Sequence, residues 1–150
     1  MAKFVFRLQS VLTLKSRLEE QQRNAFATAR RRVDEEEEKL NNLYGRLSFY
    51  EDEGRRMLTE ESLHVRDIID NEHAISTVKD YIEDQKVALK RAEDLLEIER
   101  VKLVEAMKDR RTYERLREKA YDDYLEEEKR AEGIINDEHN SYVYGMMKET

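Results

Sequence analysis

Isoleucine or leucine stands at every seventh position from residue 68 to residue 103: Ile68, Ile75, Ile82, Leu89, Leu96 and Leu103. A companion line, three residues on, holds Val78, Ala92, Ala106, Tyr113, Ala120 and Ile134, with Gln85 and Glu99 as polar members. Apolar residues recurring at alternating steps of three and four form one stripe on an α-helix, and one stripe calls for one partner helix. Small alanines in the companion line let that partner approach closely. After Leu103 the first line weakens to Arg110 and Arg117, then recovers at Tyr124 and Ala131.

The punctuation of the chain excludes most alternatives. Its 150 residues contain no proline and four glycines, Gly45, Gly54, Gly133 and Gly145. A compact α/β domain needs many turns, and turns need those two residues. Charged residues make up 42% of the chain. That much charge is compatible with disorder, but the periodicity argues for long helices instead. The length fits one domain.

The first half carries its own stripe. Val33, Leu40 and Leu47 are seven apart, and Leu43, Tyr50 and Met57 form the paired line. Phe4, Val11, Leu18 and Ala25 are also seven apart, but one residue out of phase with Val33. A one-residue skip between 25 and 33 is expected to absorb the difference. The stripe fails at Gly54, Met57, Glu61, His64, Ile68 and Asn71, where four of six positions fill a dry seam poorly. Thr59 and Ser62 can cap a new helix. A turn is therefore expected within 55–66. The predicted fold is all-α, a long two-helix antiparallel coiled-coil hairpin over 1–150. Its first helix covers about 6–57, its turn about 58–66 and its second helix about 67–141, with fraying beyond about Tyr142. The heptad phase is the same on both sides of the gap, so a continuous helix paired in a dimer keeps the same pattern. A structural coiled-coil dimer or tether stays open as the alternative.

Charge and composition narrow the function. A net charge of -7 disfavours nucleic acid, because phosphate binding needs a basic face. Without cysteine the chain has neither disulfides nor thiolate chemistry. No apolar run approaches the ~20 residues of a membrane span. The opening apolar stretch is interrupted by Arg7, Gln9, Ser10 and Thr13, unlike a signal-peptide core, and a cytosolic protein is expected. Glu61 with His64, and Asp70 with His73, have the i, i+3 spacing of metal ligands in helical bundles. Both pairs flank the expected turn, where facing helices run out, and His139 stands beside Glu138 on a helix that splays neighbours apart. Phosphate loops and nucleophile elbows are absent from the sequence. The chain is read as no enzyme, with no metal and no small-molecule substrate or cofactor.

Three features point to binding. The run "RRRVDEEEEK" (30–39) offers i, i+4 pairs Arg30–Asp34, Arg31–Glu35 and Arg32–Glu36, each stabilising by about 0.2–0.5 kcal/mol, and reads as a solvated face, with a partner-facing electrostatic patch as the alternative. Tyr44 and Phe49 fall outside the main stripe and Tyr81 flanks it; aromatic groups there serve as flanking core or as interface anchors. The opening "FVFRLQSVLTLK" (4–15) alternates Phe4, Phe6 and Leu8, then shifts toward helical spacing at Val11, Leu12 and Leu14. Those side chains spread over more than one face, so something beyond a partner helix is expected to cover them, as at a docking surface.

The opening "FVFRLQSVLTLKSRLEE" and the closing "EEEKRAEGIINDEHN" resemble the two ends of the flagellar type III export protein family FliJ. The resemblance implies a hairpin similar to the two-helix stalk of the F-type ATPase γ subunit. It implies a non-catalytic, monomeric part of the export apparatus, in the cytoplasm and peripheral to the inner membrane. The joined ends of such a protein enter the central hole of the hexameric export ATPase and stimulate it. On this chain those positions are Phe4, Phe6, Leu8, Val11 and Leu12, with Arg130, Asp137 and Glu138. The resemblance also implies contacts with the export gate protein FlhA and with export chaperones. The gate surface falls on Lys39, Leu43, Arg46 and Tyr50 of the first helix and on Ala74, Val78, Tyr81 and Gln85 of the second. Leu43, Tyr50 and Val78 belong to the predicted seam as well.

Overall fold

The computed structural model describes residues 3–149. After residues 3–6, which form no regular element, and a turn at 7–8 come two helices, α1 (Gln9–Thr59) and α2 (Val65–Glu149), joined by residues 60–64. Side-chain bonds between the two helices within the one chain show that they run antiparallel. The break at 60–64 and these bonds exclude the continuous helix that periodicity alone left open. The Thr59 hydroxyl donates to the Arg56 carbonyl (2.8 Å), closing α1 rather than opening α2. Helix α2 starts after His64, whose carbonyl accepts the Ile68 amide (3.1 Å). Asp67 in its first turn favours the positive end of the helix dipole. Its far end runs on to Glu149, past the fraying expected at Tyr142. Gly145 is the one weak helix former there, and a single glycine costs only about 1 kcal/mol.

Packing divides the chain into a long unit, residues 21–104, and a terminal unit formed by residues 3–20 with 105–149. In the long unit the buried apolar groups are Ala29, Val33, Val78, Ile82 and Ala92. Three side-chain amides tie its helices together. Gln22 Nε2 donates to the Glu99 carbonyl (3.1 Å) and to the Glu99 carboxylate. Gln85 Nε2 does the same to Glu36, at 3.1 Å from the carbonyl. Asn71 Nδ2 donates to the Tyr50 carbonyl at 3.0 Å. Positions 22, 36 and 50 on α1, matched with 99, 85 and 71 on α2, each advance by two heptads. The polar seam members Gln85, Glu99 and Asn71 are therefore paired, which is how they enter a closed seam.

Two expectations for α1 are corrected. No one-residue skip occurs between 25 and 33: the inward line is Leu12, Glu19, Phe26 and Val33, in phase with Leu40 and Leu47, whereas Leu18 is exposed. A charged residue inside the line, Glu19, hides it from hydrophobic pattern reading. The 30–39 run is not wholly solvated either. Glu36 is 2% exposed, on the line of Ala29, Leu43 and Tyr50. Arg32 pairs with it at 3.0 Å and Lys39 at 3.3 Å. The Gln85 amide, helped by Lys39 and Arg32, holds the Glu36 carboxyl below the ordinary value of 4.5 against the opposing effect of burial.

Gly54 lies inside α1 for a packing reason. A Cβ built there comes within 2.8 Å of Asn71 Oδ1, and Asn71 is buried and bonded across the hairpin. Gly45, on the same helix, has nothing within 4 Å of its built Cβ. Gly45→Ala should therefore stabilise the protein by about 0.5–1 kcal/mol, the usual helix-interior gain. Gly54→Ala should give none of it, because Asn71 must move off the Tyr50 carbonyl. Denaturant unfolding of the two variants checks this; an equal gain at both positions would contradict the close approach.

Candidate functional site

The segment 3–8, ahead of α1, shapes the terminal unit. Its alternation is realised: Phe6 is buried and Phe4 and Leu8 are half-buried, while Val5 and Arg7 face out. The Phe4 ring meets Tyr121 edge-on (centroids 5.2 Å, interplanar angle 74°) and lies tilted against Tyr124 (5.5 Å). The Arg117 guanidinium sits 5.6 Å from the Phe4 ring centre, and its Nε donates to Gln9 Oε1 at 3.1 Å. Phe6 and Leu12 are each 8% exposed. Much of the apolar opening is therefore covered by the chain's own α2. A shallow groove remains beside it, lined by Phe4, Leu8, Leu116, Ala120, Tyr124 and Glu127 among others.

Charge replaces apolar packing where the heptad line weakens. Arg110 bonds Glu19 across the unit and Glu114 on its own helix (2.7 Å), and those two carboxylates raise its pKa, Glu114 foremost. Lys15 reaches Asp109 at 3.7 Å. Arg110 and Arg117 thus serve as cross-helix ligands in positions that looked like gaps in the stripe.

From 129 to 148 every residue of α2 is exposed. The exposed groups include Ile134, Ile135 (64%), Tyr142, Tyr144, Met146 and Met147. Ala131 and Ile134 were read as seam residues; no part of α1 lies opposite them among the described residues, so they stay open. Arg130, Asp137 and Glu138 lie on this same bare stretch. The structure therefore brings Phe4, Phe6, Leu8, Val11 and Leu12 together at one place, with Phe6 and Leu12 buried and the other three half-buried. The charged members of the predicted set lie farther along α2.

The second predicted surface lies on the long unit. Lys39, Leu43 and Arg46 of α1 share one groove with Tyr81 and Gln85 of α2. Tyr50 and Ala74 line a neighbouring groove with Phe49, Met57 and the carboxylates of Glu53, Asp67 and Asp70. Phe49 packs against Tyr50 with ring centres 5.7 Å apart. Val78, at 4% exposed, is core, and Gln85 is occupied by Glu36. Lys39, Arg46 and Tyr81 are exposed and remain available. Sequence reasoning missed Gln22 and Glu36; the signal was their place on the paired line, Gln22 seven residues before Ala29 and Glu36 seven residues from both Ala29 and Leu43.

Among the described residues no group of three or more potential metal ligands forms, and no helix is long and apolar enough to cross a membrane. The family model described as flagellar FliJ protein matches residues 4–148. No curated protein sequence matches the chain. Among solved structures, one described as a YscO homolog, CT670 from Chlamydia trachomatis, is similar with a TM-score of 0.62 and 17% sequence identity. The similarity covers 99% of each chain and is a likeness of fold.

Proposed function

The chain belongs to the flagellar FliJ protein family, and from that premise we propose that it is the stalk of the export ATPase, docking through its terminal unit. Membership makes it a component of type III export. The finer reading rests on one observation above all: a continuous stretch of α2, residues 129–148, exposes isoleucine, tyrosine and methionine side chains. Large apolar groups in such a run on a highly charged chain are the mark of an interaction surface. A helix end of this kind fits the central hole of a ring-shaped hexamer, with the 3–8 segment and its aromatic contacts forming a broader collar behind it.

The role is mechanical rather than chemical. A helix end that contacts ring subunits unequally favours some subunit conformations over others, and it can do so only through contacts that differ between those conformations. Lys39, Arg46 and Tyr81 supply the exposed part of the surface for the gate protein FlhA, at the cytoplasmic face of the inner membrane. Export chaperones belong to the same reading.

The test is the rate of ATP hydrolysis by the purified flagellar export ATPase, with and without this protein. Saturable stimulation is expected. An unchanged rate across the concentration range at which the ring assembles would contradict the stalk.

A further inference from the structure

We infer that the Gln22–Glu99 and Gln85–Glu36 pairs form a register lock, and that Gln85 is a positioning residue for the groove between the helices rather than a contact of its partner. The inference rests on the geometry of the long unit and holds whether or not that groove binds the export gate.

The apolar seam cannot fix the register by itself. Ile68, Ile75, Ile82, Leu89, Leu96 and Leu103 present nearly the same stripe after a slide of one heptad. Val33, Leu40 and Leu47 on α1 do likewise. A repeat this regular leaves two pairings close in apolar burial, and buried polar groups are the known means of separating them.

The two glutamine pairs do separate them. In the observed register each amide reaches a backbone carbonyl and the carboxylate of the same residue. Ala29 then lies level with Ala92, and Leu43 with Val78. A slide of one heptad puts Gln22 level with Ala92 or Ala106 and Gln85 level with Ala29 or Leu43. Both amides lose their carboxylates at once. Glu36, buried in the seam, loses the amide that faces it, and Glu99 comes level with Lys15 in one direction and with Ala29 in the other. The pairs also reverse roles: α1 supplies the glutamine in one and the glutamate in the other. A single slide therefore breaks both, whichever way it goes.

The groove follows from the register. Lys39, Leu43 and Arg46 belong to α1, and Tyr81 to α2. A slide of one heptad replaces Tyr81 with Ala74 or Ala88 at that level. The ring would then be about 10 Å away along the axis, at 1.5 Å per residue.

The experiment uses the full chain, whose lack of cysteine lets spin labels be placed without background. Labels at Arg30→Cys and Glu93→Cys, both exposed, lie on neighbouring levels of the long unit, and pulsed electron resonance reads their separation. The parent should give one short, narrow distance. Gln22→Leu with Gln85→Leu should melt lower, because the Glu36 and Glu99 carboxylates lose their amide partners, and should add a second population displaced by about a heptad. Gln85→Glu alone, which opposes two carboxylates, should broaden the distribution, and Gln85→Glu with Glu36→Gln should restore the single distance by reversing the pair. One narrow distance in the leucine variant, identical to the parent's, overturns the lock. Should that variant lose helicity, the reversed pair decides: restoration supports the lock, and failure to restore overturns it.

Discussion

Deleting residues 1–14 should leave the protein close to its full helicity and abolish its stimulation of the export ATPase. Residues 3–8 lie outside any helix, and residues 9–14 are only the first turns of α1. The long unit keeps its three amide bonds, all of which lie between residues 22 and 99. Circular dichroism should therefore lose little beyond the deleted turns. What disappears is the cover over α2. Phe4 leaves Tyr121 and Tyr124, and Phe6 and Leu12 vacate the terminal seam. Burial of side chains of this size contributes about 1.5–3 kcal/mol each, so the terminal unit loosens while the long unit persists. A ring that reads the shape of that unit loses its differential contacts. Undiminished stimulation by the truncated chain would count against docking through this end.

The second large effect separates the core from the surface at two residues one helical turn apart. Val78→Asp should unfold or severely destabilise the long unit, whereas Tyr81→Ala should leave its melting unchanged and weaken binding to FlhA. Val78 is 4% exposed and Tyr81 is 52% exposed. A carboxylate at position 78 has apolar neighbours in the seam, and an uncompensated buried charge costs about 3–5 kcal/mol. That is a large share of the roughly 5–15 kcal/mol that holds a typical domain together. Tyr81 stands on the rim of the groove, where truncation removes contact area without opening the core. Thermal unfolding and a binding titration against the cytoplasmic part of FlhA, run on both variants, check the pair. Equal loss of binding in both with equal stability would mean that Val78 is a partner contact after all.

The sequence made α2 readable and α1 only partly so, for a physical reason. Pattern reading detects burial through hydrophobic side chains, and α2 carries isoleucine or leucine at six successive heptads. In α1 the same line passes through Glu19 and its companion through Glu36. Both are buried because a partner on α2, Arg110 or Gln85, meets them. Charge at those points mimics a break or a solvated face, hence the expected skip near 25–33 and the misreading of the 30–39 run. In the sequence Gly54 reads as a weak point near a turn, whereas its missing Cβ makes room for Asn71. The family itself was legible in the two terminal stretches, and the match over 4–148 agrees.

The candidate surfaces divide in the same way. The alternation of Phe4, Phe6 and Leu8 announced a segment with one inward face. Its partners, Tyr121 and Tyr124, lie more than a hundred residues away, and no local spacing announces them. The groove of Lys39, Leu43, Arg46, Tyr81 and Gln85 was assembled from family resemblance across two helices, and the register of the hairpin brings those residues to one level. Which of them point outward depends on packing, and only the structure separates Tyr81 from Val78.

The most direct test of docking is site-specific photo-cross-linking of the whole protein, with a photoreactive residue at Ile135 in one preparation and at Tyr81 in another. Each is mixed with the purified export ATPase and the cytoplasmic part of FlhA. Attachment of Ile135 to the ATPase, and of Tyr81 to FlhA, is the expected result. Attachment of Tyr81 to the ATPase with none from Ile135 would contradict the stalk as described.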